Sequence, residues 1–303
     1  MAHTKREEAP LRLALVVLGM HRSGTSAMAG CLARLGAGRP RTEIAPTVNN
    51  PRGYFESEPI MAFNDRLLAL AGSAWHDWRG PDVGRLTEAT RDALAEEAAG
   101  LLADEFGEAN VIVLKDPRLC RLMPLWREVL DRAGYEARYV LPVRHPLHSA
   151  LSLRARNGFS LESGRLLWLG HVFEAERRTR GLRRHIVASE NLVVAPRSAL
   201  TAIMRELAVF PDAAGVDAVG DFIEPALFHR DLPAGLSSEN RWIAGLSDRV
   251  HAVFAAGEGL EGRLDGLYAE FEAVTRPLAR AFAEAGEGVF ADLGLSMSAA
   301  GAA

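Results

Sequence analysis

The sequence predicts an α/β fold with a mostly parallel central sheet flanked by helices and a predominantly helical C-terminal portion. Short apolar runs at 13–18, 111–114, 138–143 and 186–189 alternate with longer segments of helical periodicity. Run 13–18 passes through a glycine-rich turn directly into a helix. Three of the four runs end in charged, glycine-rich or proline-bearing segments, and ligands of such sheets gather at the carboxyl ends of strands.

In chain order, residues 1–10 are charged and aperiodic and are read as a disordered leader. Strand 13–18 leads to a helix over 25–35, ended by Gly36 and Gly38. An irregular stretch, 39–53, carries three prolines and precedes a helix over 58–70. A turn with Trp75, His76 and Trp78 and an amphipathic helix over 87–106 come next. The run 111–114 reads as a buried parallel strand with Lys115-Asp116-Pro117-Arg118 at its end. Beyond a helix over 119–133, strand 138–143 ends at Arg144-His145-Pro146 and opens a helix bearing Ser149 and Ser152. A long helix over 161–180, strand 186–189, a loop over 224–240 and a helix over 241–256 complete the pattern. The last eleven residues read as a flexible tail, 293–303, so 11–292 is expected to form one domain.

Composition narrows the function classes. A chain of 303 residues, 48% hydrophobic and 24% charged, can bury a full core. Its formal net charge of -4 lacks the basic excess of a general nucleic-acid binder. An anion must therefore be held by a local cluster. Of the 35 basic residues only Lys5 and Lys115 are lysines, which singles out Lys115. Cys31 and Cys120 lie in apolar stretches and read as buried free thiols of a reducing compartment. No apolar run reaches the roughly 20 residues of a membrane span, so a cytoplasmic chain is expected.

His21-Arg22-Ser23-Gly24-Thr25-Ser26 sits between a strand and a helix, where backbone N–H groups and the helix dipole converge on a phosphate. In a Walker A loop a lysine follows the second glycine and neutralises the β- and γ-phosphates. Here Thr25 takes that position and the cation moves to Arg22. The cradle for an anion is kept without the residue that handles a triphosphate. At these residues the chain resembles the family of sulfotransferases that use 3′-phosphoadenosine 5′-phosphosulfate (PAPS), most closely the bacterial and carbohydrate-type branch. The resemblance runs from about Leu13 to Leu192 and implies a P-loop NTPase-like fold, PAPS as co-substrate and no metal.

A second anion site is read at Arg144 and Ser152. The arginine closes a strand, Pro146 suits the first helical turn, and the serine lies eight residues on. This spacing resembles the family's 3′-phosphate signature. Arg154 and Arg156 either add charge or lie on a solvated face.

Sulfuryl transfer needs in-line placement, a base for the acceptor proton and cations for the leaving oxygen. Glu56 ends a turn rich in helix breakers beside Tyr54 and Phe55, and its resemblance to the family's catalytic glutamate implies the base. Glu58 and His76 are alternatives. Lys115, resembling a family lysine, is expected on the transferred group, with Asp116 paired to Lys115 or Arg118. His145 and His148 read as structural. Trp75, Trp78 and Tyr54 either wall an acceptor pocket or pack in the core. Ser189-Glu190-Asn191-Leu192 resembles a family segment with two residues replaced. Phe228-His229-Arg230 is the candidate for the family's nucleotide-covering loop. The acceptor is expected to be a hydroxyl or amine of a carbohydrate or other small molecule. A kinase using ATP and Mg²⁺ and a non-catalytic nucleotide-binding module are the competing readings.

Overall fold

A computed structural model describes residues 11–210, 215–216, 219, 222–223, 240–257 and 260–292. The expected leader 1–10, tail 293–303 and covering segment Phe228-His229-Arg230 lie outside them.

Four parallel strands form one sheet in the order β2-β1-β3-β4. They are β1 (Arg12–Val17), β2 (Val111–Lys115), β3 (Tyr135–Val143) and β4 (Arg184–Ala188). β1 alternates its side chains between two apolar layers, as a strand of period two must when both faces are covered. Ala14, Val16 and Leu18 join the layer of α2 (Glu58–Leu70), α3 (Glu88–Phe106) and α4 (Leu119–Arg132). Leu13, Leu15 and Val17 join that of α1 (Thr25–Arg34) and α8 (Pro196–Glu206). A third cluster joins α6 (Leu161–Arg178) to the helices Arg241–Ala256 and Leu260–Asp292 around Trp168 and Phe173.

Register places the functional ends together. Val17 pairs with Lys115 on one side and Val140 on the other, and Val143 pairs with Ala188. The chain turns from β1 to β2 on one side and crosses to β3 on the other, so the crevice opens beside the carboxyl end of β1. α5 (Pro146–Asn157) leaves β3 into that crevice.

Several boundaries differ from expectation, among them the start of β4 at Arg184, two residues early. β3 begins three residues earlier than expected, at Tyr135, where the exposed Glu136 and half-buried Ala137 break the apolar run but not the ladder with β1. Ser189 leaves the fourth strand and opens α7 (Ser189–Val194). Both cysteines are buried and free. Among the described residues no helix is long and apolar enough to cross a membrane.

Candidate active site

A cleft of about 800 Å³ opens at the carboxyl ends of β1, β2 and β3. Of the residues expected to bind the donor or carry the chemistry, His21, Arg22, Gly24, Thr25, Ser26, Glu56, Lys115, Arg144 and Ser152 line it, and Ser23 does not.

The loop after β1 owes its shape to two glycines. A Cβ on Gly19 would lie 2.8 Å from Thr25 Cγ2 and 3.1 Å from the Pro142 carbonyl oxygen, so only glycine lets the turn pass this close to β3. Gly24 adopts φ 84° as N-cap of α1, in the left-handed region that a side chain resists. Arg22 also has positive φ, 68°, and the Ser23 N–H donates to the Met20 carbonyl at 3.1 Å. No side chain caps α1. The first-turn N–H groups of a helix without such a cap, aided by its dipole, suit an anion.

Ser23 departs from its expected role. Its hydroxyl is fully buried 3.4 Å from Ser149 Oγ, and its carbonyl accepts from Ser189 Oγ at 2.5 Å. It fixes the loop to α5 and α7, with its hydroxyl turned away from the cleft. His21 packs edge-on against Trp75, ring centroids 4.8 Å apart, and its Nε2 is buried with no hydrogen-bond partner among the described residues. Burial, and then the charge of Arg156, holds its pKa well below the ordinary histidine value. The ring is therefore neutral and contributes no charge to an anion site.

The two expected anion sites are joined. Arg22 Nε donates to Ser152 Oγ at 2.7 Å, and Nη1 donates to the Asn49 carbonyl at 2.9 Å. Arg144 Nη1 donates to the Arg22 carbonyl at 3.0 Å. Arg144 is itself held from behind, because Trp168 Nε1 donates to its carbonyl at 3.0 Å. His145 then caps α5, its ring nitrogen accepting from the Leu147 N–H at 3.3 Å, and Glu190 accepts the His145 N–H at 3.3 Å. Burial lowers the pKa of both Arg22 and Arg144. Desolvated cations are costly without a counter-charge, and a bound anion would supply it.

Glu56 and Lys115 meet as a buried ion pair, 5% and 4% exposed. The Lys115 ammonium also donates to Ser26 Oγ at 3.1 Å and the Tyr54 carbonyl at 2.9 Å. Glu56 is presented by Phe55, which has φ 56° and is buried at 3% exposure, so the strain of a left-handed aromatic residue is held by packing. The segment around it is pinned where the Ile44 N–H donates to the Glu56 carbonyl and the Glu58 N–H to the Thr42 carbonyl, each at 2.9 Å. Ser57 then caps α2 through the Ile60 N–H at 3.2 Å. Burial pushes the Glu56 carboxyl above the ordinary glutamate range, against the pull of Lys115. The alternatives Glu58 and His76 do not line the cleft.

Asp116 does not pair with Lys115. It accepts from Arg118 Nη1 at 3.0 Å and from Asn64 Nδ2 at 2.9 Å, a structural cluster closed by Trp126 Nε1 on Asn64 Oδ1 at 2.8 Å. Trp75 and Tyr54 line the cleft, whereas Trp78 packs into the cluster around Trp168. The sequence reading missed the bracing role of Ser189 and Glu190 and left Arg156 undecided. Arg156 is legible in retrospect, because His148, Ser152 and Arg156 recur every four residues and all line the cleft.

No protein-family model and no curated protein matches the chain. Solved sulfotransferases are similar to it in fold. The sulfotransferase domain of an olefin synthase from Synechococcus is 19% identical, over 82% of this chain and 98% of that one, with a TM-score of 0.44. The sulfotransferase domain from the curacin biosynthetic pathway is 16% identical, over 78% and 98%, with a TM-score of 0.45. A sulfotransferase from Mycobacterium avium is 17% identical, over 88% and 77%, with a TM-score of 0.43.

Proposed function

We propose that the chain is a sulfotransferase that moves a sulfuryl group from PAPS to a hydroxyl or amine of a small-molecule acceptor. The observation that carries this reading is the linked pair of arginine sites opening on the buried Glu56–Lys115 pair within one cleft. Two anion positions beside a base and a cation are what a 3′-phosphorylated phosphosulfate donor requires.

In this reading Arg22 and the N-terminus of α1 hold the 5′-phosphosulfate, and Arg144 with Ser152 holds the 3′-phosphate. Lys115 turns from Glu56 to the sulfuryl oxygens when the donor binds, which frees the carboxylate. The acceptor oxygen or nitrogen then attacks sulfur in line and its proton passes to Glu56. The bond from sulfur to the bridging oxygen breaks, and adenosine 3′,5′-bisphosphate leaves with that electron pair. Thr25 at the Walker lysine position argues against a triphosphate donor.

The test is incubation with PAPS labelled in the sulfuryl group and a panel of phenolic, amine and sugar acceptors. Label is expected in an acceptor with stoichiometric release of the bisphosphate. Tight binding of ATP with Mg²⁺ and none of the bisphosphate would overturn the proposal in favour of a kinase. Bisphosphate binding without transfer to any acceptor, unchanged in Glu56→Ala, would leave a binding module.

A further inference from the structure

The cleft continues past Ser152 into a corner that the two anion sites do not use. α5 rises about 1.5 Å per residue, which puts Arg156 roughly 6 Å along the axis beyond Ser152 and on the same face. There its guanidinium carbon lies 5.5 Å from the Trp75 ring centroid. Trp75 in turn meets His21 at 4.8 Å, His76 at 5.2 Å and Phe159 at 5.8 Å, an aromatic corner with Trp75 and His21 facing the cleft.

Two polar groups in this corner lack a partner that matches their chemistry among the described residues. Among the described residues the one side-chain hydrogen bond of Arg156 is donated to Asn157 Oδ1, at 2.6 Å, a neutral acceptor. Arg154, two residues back in the same last turn, is exposed to solvent, so the helix dipole at this end has a cation without calling on Arg156. Burial, followed by the charge of Arg22, lowers the Arg156 pKa, the mark of a cation that a counter-charge would relieve. His21 Nε2 is buried beside it without a hydrogen-bond partner among the described residues. Among the described residues Glu56 is the only carboxylate lining the cleft, and Lys115 already pairs with it. The corner thus offers a flat apolar wall, a neutral imidazole nitrogen and, close to the proposed base, a guanidinium with no ion pair among the described residues.

We propose that Trp75 and Arg156 form an acceptor subsite that selects a hydroxylated aromatic acceptor carrying a carboxylate or comparable anionic group. The inference rests on the sulfotransferase reading and specifies its substrate class. The ring lies against Trp75, the anionic group pairs with Arg156, and the hydroxyl points toward Glu56. A neutral acceptor of the same shape would leave the half-buried guanidinium without a counter-charge, so the discrimination comes from the charge.

The experiment is calorimetry on the full chain saturated with adenosine 3′,5′-bisphosphate, titrating 4-hydroxyphenylacetate and, separately, the neutral 4-hydroxyphenylacetamide. Wild type is expected to bind the carboxylate about tenfold or more tightly than the amide. Arg156→Gln should lose that preference while its bisphosphate affinity stays within about twofold, and Arg154→Gln should keep both. Equal binding of the two probes by wild type, or a preference that survives in Arg156→Gln, overturns the subsite. So does an equal loss of bisphosphate affinity in Arg156→Gln, which would put Arg156 on the donor. Failure of wild type to bind the bisphosphate sinks the sulfotransferase reading instead, and is seen before any acceptor is added.

Discussion

The two halves of the cleft are built differently. One half, the loop after β1 and the N-terminal turns of α5, sits on the ends of regular elements whose positions follow from strand register. Val17 pairs with Val140, so the loop and Arg144 must lie side by side. The other half comes from the turn 39–57 and the aromatic turn near Trp75, which have little regular structure. Its shape depends on long-range bonds, such as Arg121 donating to the carbonyls of Asp77, Trp78 and Arg79. A donor common to many enzymes can be held by a fold-borne half. An acceptor peculiar to one enzyme needs walls that can change without moving the sheet.

The comparison breaks first at Glu56. In the account, Glu56→Gln removes the base and leaves the donor half intact. Steady-state kinetics should show kcat lowered about 10²–10⁴-fold, while bisphosphate affinity by calorimetry stays within about twofold. The same residue sets the pH dependence. Its carboxylate is lost as pH falls through its pKa, and burial raises that pKa, so the acid limb of kcat should lie above the ordinary glutamate range. A limb at the ordinary value would remove Glu56 from the role.

Gly24→Ala strains the fold-borne half instead. At φ 84° a side chain costs about 1–2 kcal/mol, so calorimetric melting should show a lower Tm and titration a weaker bisphosphate complex. The smallest expected effect is that of Ser152→Ala, which removes one hydroxyl from the arginine clamp. Bisphosphate affinity should fall by about 1 kcal/mol, roughly fivefold, with kcat at saturating donor nearly unchanged. A larger loss of kcat than of affinity would mean that the hydroxyl serves the reacting group.

What was legible in the sequence follows the same division. The alternation of apolar runs and helices gave the sheet, and short-range spacing gave Arg22, Arg144 and Ser152, because strand ends and helix turns convert spacing into position. Spacing could not show that Arg22 and Ser152 would bond to each other, since the contact spans 130 positions. Nor could it show that Glu56 would reach Lys115 or that Asp116 would turn to Asn64, because these depend on how α2 and the segment before it fold back over β2. Ser23 misled for a local reason. In a loop of hydroxyls, the side that each faces is set by backbone dihedrals, and positive φ at Arg22 turns Ser23 toward α5. Trp75 and Trp78 are three residues apart in an irregular turn, with nothing in the pattern to say which would face the cleft.

The most direct test of the two-site clamp is calorimetric titration of adenosine 3′,5′-bisphosphate into wild type and Arg144→Ala, beside adenosine 5′-monophosphate. Wild type is predicted to bind the bisphosphate much more tightly than the monophosphate, and Arg144→Ala to lose about 10–100-fold and most of that difference. Equal affinity of wild type for the two nucleotides, or no binding of the bisphosphate, would contradict the account.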